Sequence, residues 1–133
     1  MGNGDPDWMT AKRGVEPSRT FAANVQSAID RYEFNEESGY FGVKGSTGSV
    51  RRLKCDDPLS SAHDFFALVT KGGRLENLPK GKGWRVDLKD GTTITLRDKS
   101  SDGSPSMQIE ISRSYEGRVK SQKIHFIPKE ESR

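Results

Sequence analysis

The chain has little cysteine, little histidine and little grease. One cysteine, Cys55, among 133 residues excludes an internal disulfide and a multi-cysteine zinc site. Two histidines and no H-E-x-x-H spacing leave no histidine-rich metal centre, so no structural metal and no cofactor are expected; only a metal held by Asp and Glu stays open. Hydrophobic residues make up 31% of the chain and the mean hydropathy is −0.82, so the core must be small. No segment approaches the roughly 20 apolar residues of a membrane span. The opening "MGNGDPDWMTAKRG" lacks a signal peptide's apolar run.

What is present is positive charge, unevenly placed. Residues 1–40 carry four Lys/Arg against seven Asp/Glu, and residues 41–133 carry eighteen against twelve, so a net charge of +3 conceals a basic C-terminal module. Such a module suits a polyanionic partner. The residues alone leave open whether residues 1–40 dock on this module or belong to a larger parent protein. The first seventeen residues read as disordered. A helix is expected over about 19–32, capped by Ser18, with Phe21, Val25, Ala28, Ile29 and Tyr32 on one stripe.

"YFGVKGSTGSVRRLKC" reads as a long basic loop. In "DDPLSSAHDFFALVTKGG", Asp57 suits an N-cap, Pro58 the first turn and Gly72 the stop. Leu59, Ala62, Phe66 and Val69 form its buried stripe, Phe65 lies beside it, and His63 falls near it as a structural residue. "RLENLPKGKG" reads as a turn-rich connection. The period then changes from 3.6 to 2. Trp84, Val86 and Leu88 alternate with charged residues, Asp90-Gly91 signals a hairpin, and three further strands follow around Ile94–Leu96, Met107–Ile111 and Ile124–Phe126. The expected fold is α+β: N-terminal helices on a four- to five-stranded antiparallel meander.

Alternation then puts Arg85, Thr95, Arg97, Gln108, Glu110, Lys123 and His125 together on the face away from the helices. A half-solvated sheet always has a polar side. This one combines a guanidinium, an amide or carboxylate and an imidazole, the groups that phosphodiester transesterification needs for proton transfer and charge stabilisation. His125 has the intrinsic pKa for a proton transfer. Arg97 could grip a phosphate or pair with Glu110 across strands. Lys82 sits between two glycines, which let backbone approach a ligand closely. Ser100 and Ser101 could donate hydroxyls to a phosphate or simply end a strand. Arg51 and Arg52 form a solvated face or meet an RNA backbone, and Cys55 reads as a small buried residue.

Over about Phe41 to Pro128, and most densely from Gly81 to Phe126, the chain, with "GKGWRVDLKDGTTITLRDKSSDGSPSMQIEIS" followed by "KIHF", resembles the C-terminal toxin domains of bacterial polymorphic toxins, of the contact-dependent inhibition and LXG types, in the barnase/EndoU/colicin/RelE-like group. The shared features are a Gly-Lys-Gly, an Asp-Gly-Thr hairpin, an Arg followed by Ser-Ser and Asp-Gly-Ser-Pro, an alternating strand and a closing Lys-Ile-His-Phe. The resemblance implies a linker or entry-related segment over 1–40, a toxin module over 41–128 and a disordered tail over 129–133. It implies a metal-independent ribonuclease active on RNA, with tRNA a natural target by family analogy. It would be secreted or displayed as part of a larger toxin and act in the target-cell cytoplasm. It also implies an acidic immunity protein across the cleft, and a monomer when free. In these terms His125, Arg97, Lys82, Ser100, Ser101 and Gln108 would be catalytic, and Thr95, Glu110, Lys123, Arg85, Arg51 and Arg52 would bind substrate. Where the family carries a Glu in its third strand this chain has Gln108, with Glu110 two residues on, which leaves the general base open. A metal-dependent DNase and a non-catalytic RNA- or protein-binding module are the alternatives.

Overall fold

The computed structural model describes Trp8 and residues 19–129. The other residues expected to be disordered at the N-terminus, and 130–133 of the expected tail, lie outside the described residues, as does Ser18. Helix α1, Phe21–Arg31, is capped by Thr20, whose hydroxyl accepts from the Ala23 amide at 3.2 Å. Its first amide, that of Phe21, donates to Asp90 at 3.1 Å, which ties the helix to the Asp90-Gly91 turn. Helix α2, Pro58–Val69, starts on Asp57, which accepts from the Ser60 amide at 3.1 Å, with proline in its first turn.

The strands are β1 Phe34–Asn35, β2 Tyr40–Phe41, β3 Val43–Lys44, β4 Val50–Cys55, β5 Arg74–Asn77, β6 Trp84–Asp87, β7 Thr93–Arg97, β8 Ser106–Glu110 and β9 Gln122–Pro128. The first two form a small sheet of their own. The rest form a seven-stranded sheet in the order β3-β4-β9-β8-β7-β6-β5. From β5 to β9 each strand pairs antiparallel with the next. β4 joins β9 in parallel, with Arg52 opposite His125 and Leu53 opposite Phe126. The fold is α+β with a mixed sheet, larger than the four or five antiparallel strands expected.

Two expected loops are strands. In "VRRLKC" the buried positions are Arg51, Leu53 and Cys55, so the period-2 signal is present but an arginine occupies its first beat. β5 is an edge strand whose one inward apolar residue is Leu75, too little signal to distinguish it from a turn.

Both helices contribute to one core against the sheet. Phe21, Val25 and Ala28 of α1 and Ala62, Phe65, Phe66 and Val69 of α2 cluster with Leu53, Val86, Ile94, Leu96, Met107, Ile109, Ile124 and Phe126. Each large side chain so enclosed is worth about 1.5–3 kcal/mol relative to exposure. Residues before 40 therefore share the core of the module that follows them. Leu59, in the first turn of α2, leaves the expected stripe: it is 42% exposed. Gln122 is buried and joins β9 to the β1–β2 turn, accepting from the Phe41 amide at 2.8 Å and donating to the Gly39 carbonyl at 3.1 Å. The helices occupy one face, and apart from Arg51 and Gln122 the polar side chains of β4 and β6–β9 stand on the other.

Candidate active site

The chemistry concentrates where the β7–β8 loop, residues 98–105, folds over the end of the polar face. Register places Arg97, Ser106 and His125 side by side on β7, β8 and β9, with Arg52 next on β4. Strands lie about 4.8 Å apart, so the Arg97 and His125 backbones are about 10 Å apart. A phosphodiester fits between a guanidinium and an imidazole at that spacing.

His125 is held from one side. Its Nδ1 lies 2.9 Å from Ser104 Oγ and 3.4 Å from Asp102 Oδ2. Ser104 Oγ donates to Asp102 Oδ1 at 2.6 Å, which commits its single proton. Oγ therefore accepts from His125 Nδ1–H, and the unprotonated Nε2 is left as the basic atom. Among the described residues Nε2 makes no hydrogen bond. Burial lowers the imidazole's pKa below its ordinary value, and Lys123 and Arg52 push the same way while Asp102 opposes them. The ring is consequently neutral near pH 7, the state a general base requires.

Asp102 is fixed in turn by the loop. Its Oδ1 takes the Ser104 hydroxyl, the Ser104 amide at 2.9 Å and the Ser100 hydroxyl at 2.8 Å. The Ser104 side chain, then the Ser104 amide, then Ser100 and the nearby His125 hold its carboxyl well below the usual carboxylate range. Ser100 Oγ also lies 2.7 Å from the Ser104 carbonyl, so its proton is shared between two internal acceptors.

Beside this row opens a cleft lined by Gly81, Lys82, Gly83, Trp84, Arg97, Asp98, Lys99, Ser100, Ser101 and Lys123. Five of the twelve sequence candidates thus share one depression: Lys82, Arg97, Ser100, Ser101 and Lys123. Among the described residues Lys82, Arg97, Lys99 and Lys123 make no ion pair, which leaves four cations facing solvent in one place. The Arg97–Glu110 pair is not formed: Arg97 faces Ser106, whereas Glu110 faces Thr93 at the far end of β8. Glu110 is four residues beyond the Ser106 row, about 13 Å along the strand. It cannot serve His125.

The other candidates separate by geometry. Gln108 and Lys123 are partners on β8 and β9, flanked by Thr95 and then Arg85, one row further from the loop. Arg85 bonds Asp87 at 3.2 Å on its own strand. Arg52 is exposed on the polar face. Arg51 is not a substrate-binding residue of this face: alternation turns it to the helix side, 9% exposed. There Nη1 donates to Gly48 O and Val50 O at 2.8 Å each, and the guanidinium lies 3.6 Å over the Tyr40 ring. Gly83 also differs from expectation. It has φ +144°, and a Cβ there would lie 2.0 Å from Leu96 O, so its close approach is to β7 and not to a ligand. Cys55 is buried, and burial pushes its thiol pKa up.

Sequence reasoning passed over Asp102, Ser104 and Asp98. The Ser-x-Asp-x-Ser spacing of residues 100–104 is the signal that could have found the first two, since Asp and Ser accept and donate across such turns. His63, read as structural, contacts Asp98 at 2.8 Å. No group of three or more His, Cys, Asp or Glu side chains suited to a metal ion occurs among the described residues. No helix among them is long and apolar enough to cross a membrane. No protein-family model matches the chain, and no curated protein or solved structure shows significant similarity to it. The site has to be interpreted from its own geometry.

Proposed function

We propose that the protein is a metal-independent endoribonuclease, the toxin domain of a larger secreted or surface-displayed protein. The observation that carries the catalytic part is the held imidazole: Nδ1 anchored through Ser104 to Asp102, Nε2 without a hydrogen bond among the described residues, in register with Arg97 beside a cleft of unpaired cations. In the reaction, Nε2 of His125 takes the proton of a ribose 2′-OH. The 2′-oxygen bonds to the adjacent phosphorus, the P–O5′ bond breaks, and the 5′-oxygen leaves with a proton from water in the open cleft. The products are a 2′,3′-cyclic phosphate and a 5′-hydroxyl. Arg97, Lys82 and Lys123 stabilise the added negative charge on phosphorus. Ser101 donates to a phosphate oxygen, Ser100 braces Asp102, and Gln108 with Thr95 and Arg85 extends the contact along the RNA.

The toxin assignment rests on the sequence resemblance, and helices on one face of a largely antiparallel sheet are compatible with the barnase/EndoU/colicin/RelE-like arrangement. The parallel β4 is an addition to that pattern. An acidic immunity protein covering the cationic cleft is the partner this reading requires in the producing cell, and the target-cell cytoplasm is the place of action. The deciding experiment is incubation with total RNA in EDTA, followed by end-group analysis. Fragments ending in 2′,3′-cyclic phosphate are expected. Intact RNA in the presence of folded protein refutes the proposal, and cleavage of DNA that is abolished by EDTA favours a metal-dependent DNase.

A further inference from the structure

Outside the catalytic row, three rings meet at one wall of the cleft, the wall that Trp84 lines. Trp8 lies flat on the His63 imidazole, with centroids 3.8 Å apart and planes at 6°. Trp84 stands edge-on to both, 5.8 Å from Trp8 at 86° and 6.3 Å from His63 at 88°. Asp98 accepts from His63 Nε2–H at 2.8 Å, which fixes the imidazole plane. Both Asp98 and Trp84 also line the cleft that holds Lys82, Arg97 and Lys99. A flat, oriented ring with an aromatic wall therefore borders a group of phosphate-sized cation sites, and an indole covers it.

We propose that the His63–Trp84 corner is a nucleobase subsite, and that Trp8 occupies it until a base of the RNA displaces it. The inference rests on the ribonucleotide reading of the cleft and adds to it where the base goes. An indole and a purine are planar bicycles of similar size, so the ring that Trp8 places on His63 marks the volume a stacked base would fill. A nucleotide joins a base to a phosphate over a few ångströms, and the corner and the cleft share Asp98 and Trp84 as common walls. Stacking accepts any base, so the subsite strengthens binding without reading sequence. Trp8 acts as an internal competitor: the stack that protects His63 in the free protein must be given up when RNA binds.

The test uses the full chain and its Trp8→Ala variant, with adenosine 5′-monophosphate and ribose 5-phosphate as probes. Binding is followed by the shift of the His63 ring resonances and by Trp84 fluorescence. The variant should bind adenosine monophosphate about fivefold more tightly than the parent, the factor set by removing one competing aromatic stack. Ribose 5-phosphate, which has no base, should bind both proteins alike. Equal affinity of the two proteins for adenosine monophosphate overturns the proposal. An equal gain for both probes also overturns it, since Trp8 would then obstruct the cleft by bulk alone. RNA cleavage by the same two proteins is scored separately. A base-specific gain with no cleavage sinks the ribonuclease reading and keeps the subsite; cleavage with no base-specific gain sinks the subsite alone.

Discussion

Replacing His125 by alanine separates catalysis from folding more cleanly than any other single change. The imidazole stands on the polar face, and its one hydrogen bond among the described residues is the 2.9 Å contact with Ser104. Losing a neutral hydrogen bond costs about 0.5–1.5 kcal/mol, and the ring is not part of the apolar cluster beneath the helices, so the variant should remain folded. General-base catalysis contributes about 10²–10⁴-fold, equivalent to about 3–5 kcal/mol of barrier. The loss should fall on kcat, with KM little changed, because Arg97, Lys82 and Lys123 still bind the phosphates. The pH profile supplies a second check. Burial holds the His125 pKa below its ordinary value of 6.5, so the neutral, active form is already dominant at pH 7. In the wild-type protein kcat/KM should rise with pH, bend below 6.5 and stay level through neutrality. The assay is continuous cleavage of a fluorogenic oligoribonucleotide in EDTA, with a thermal melt of each variant. Activity of His125→Ala within threefold of wild type, or an acid limb centred above 6.5, would refute the argument.

Four further outcomes are expected. Lys82→Ala and Arg97→Ala should each lower kcat/KM about ten- to hundredfold and reduce the salt slope of RNA binding by about 0.7 per cation removed, measured by filter binding across a salt series. The neighbouring arginines should behave oppositely: Arg51→Ala loses the Tyr40 contact and two carbonyl bonds and should cost about 1–3 kcal/mol in urea unfolding with RNA affinity per folded molecule unchanged, whereas Arg52→Ala should weaken RNA binding and leave the urea midpoint in place. Gly83→Ala should destabilise by at least about 1–3 kcal/mol, since φ is +144° and the new Cβ would meet Leu96 O at 2.0 Å; an unchanged unfolding midpoint would contradict the packing described. Stability should be full above pH 6.5 and fall as pH drops toward the lowered His125 pKa, then fall again below 3.8 as the lowered Asp102 carboxyl is protonated; the first decline should vanish in His125→Ala when urea midpoints are followed from about pH 8 to about pH 3.

What the sequence made legible is what depends on short periods. Trp84 to Phe126 alternates with period 2, and that alone assigns the polar face and puts Arg97, Lys123 and His125 on it. The Asp57-Pro58 start of α2 is equally local. Register is another matter. Whether Arg97 meets Glu110 or Ser106 is decided by the length and shape of the 98–105 loop, which no periodicity encodes. β4 is stabilised by its parallel partner β9 and by a buried arginine stacked on Tyr40, both contacts at a distance in sequence. Asp102 and Ser104 acquire their importance only because the loop folds back onto a strand 21 residues away.

That loop also explains how a protein with a small core can hold a reactive group in place. Asp98 engages His63 of α2, and Asp102 engages Ser104 and His125 on the opposite side of the sheet, so the loop is anchored to both layers. Between these anchors it is braced by the Ser100 and Ser104 backbones, with the Ser100 amide donating to Ser104 O at 2.8 Å and the Gly103 amide to Ser100 O at 2.9 Å. None of these contacts draws on the apolar cluster beneath the helices. Substitutions in the core should therefore change how much protein is folded while leaving the chemistry of the folded fraction intact. Substitutions of Ser100, Asp102 or Ser104 should loosen the imidazole and lower the activity of the folded fraction itself, because misplacing a catalytic group by 1 Å can cost about 10²-fold in rate. The division follows from where the side chains point: one face of the sheet holds the fold together, and the loop over the other face aims the base.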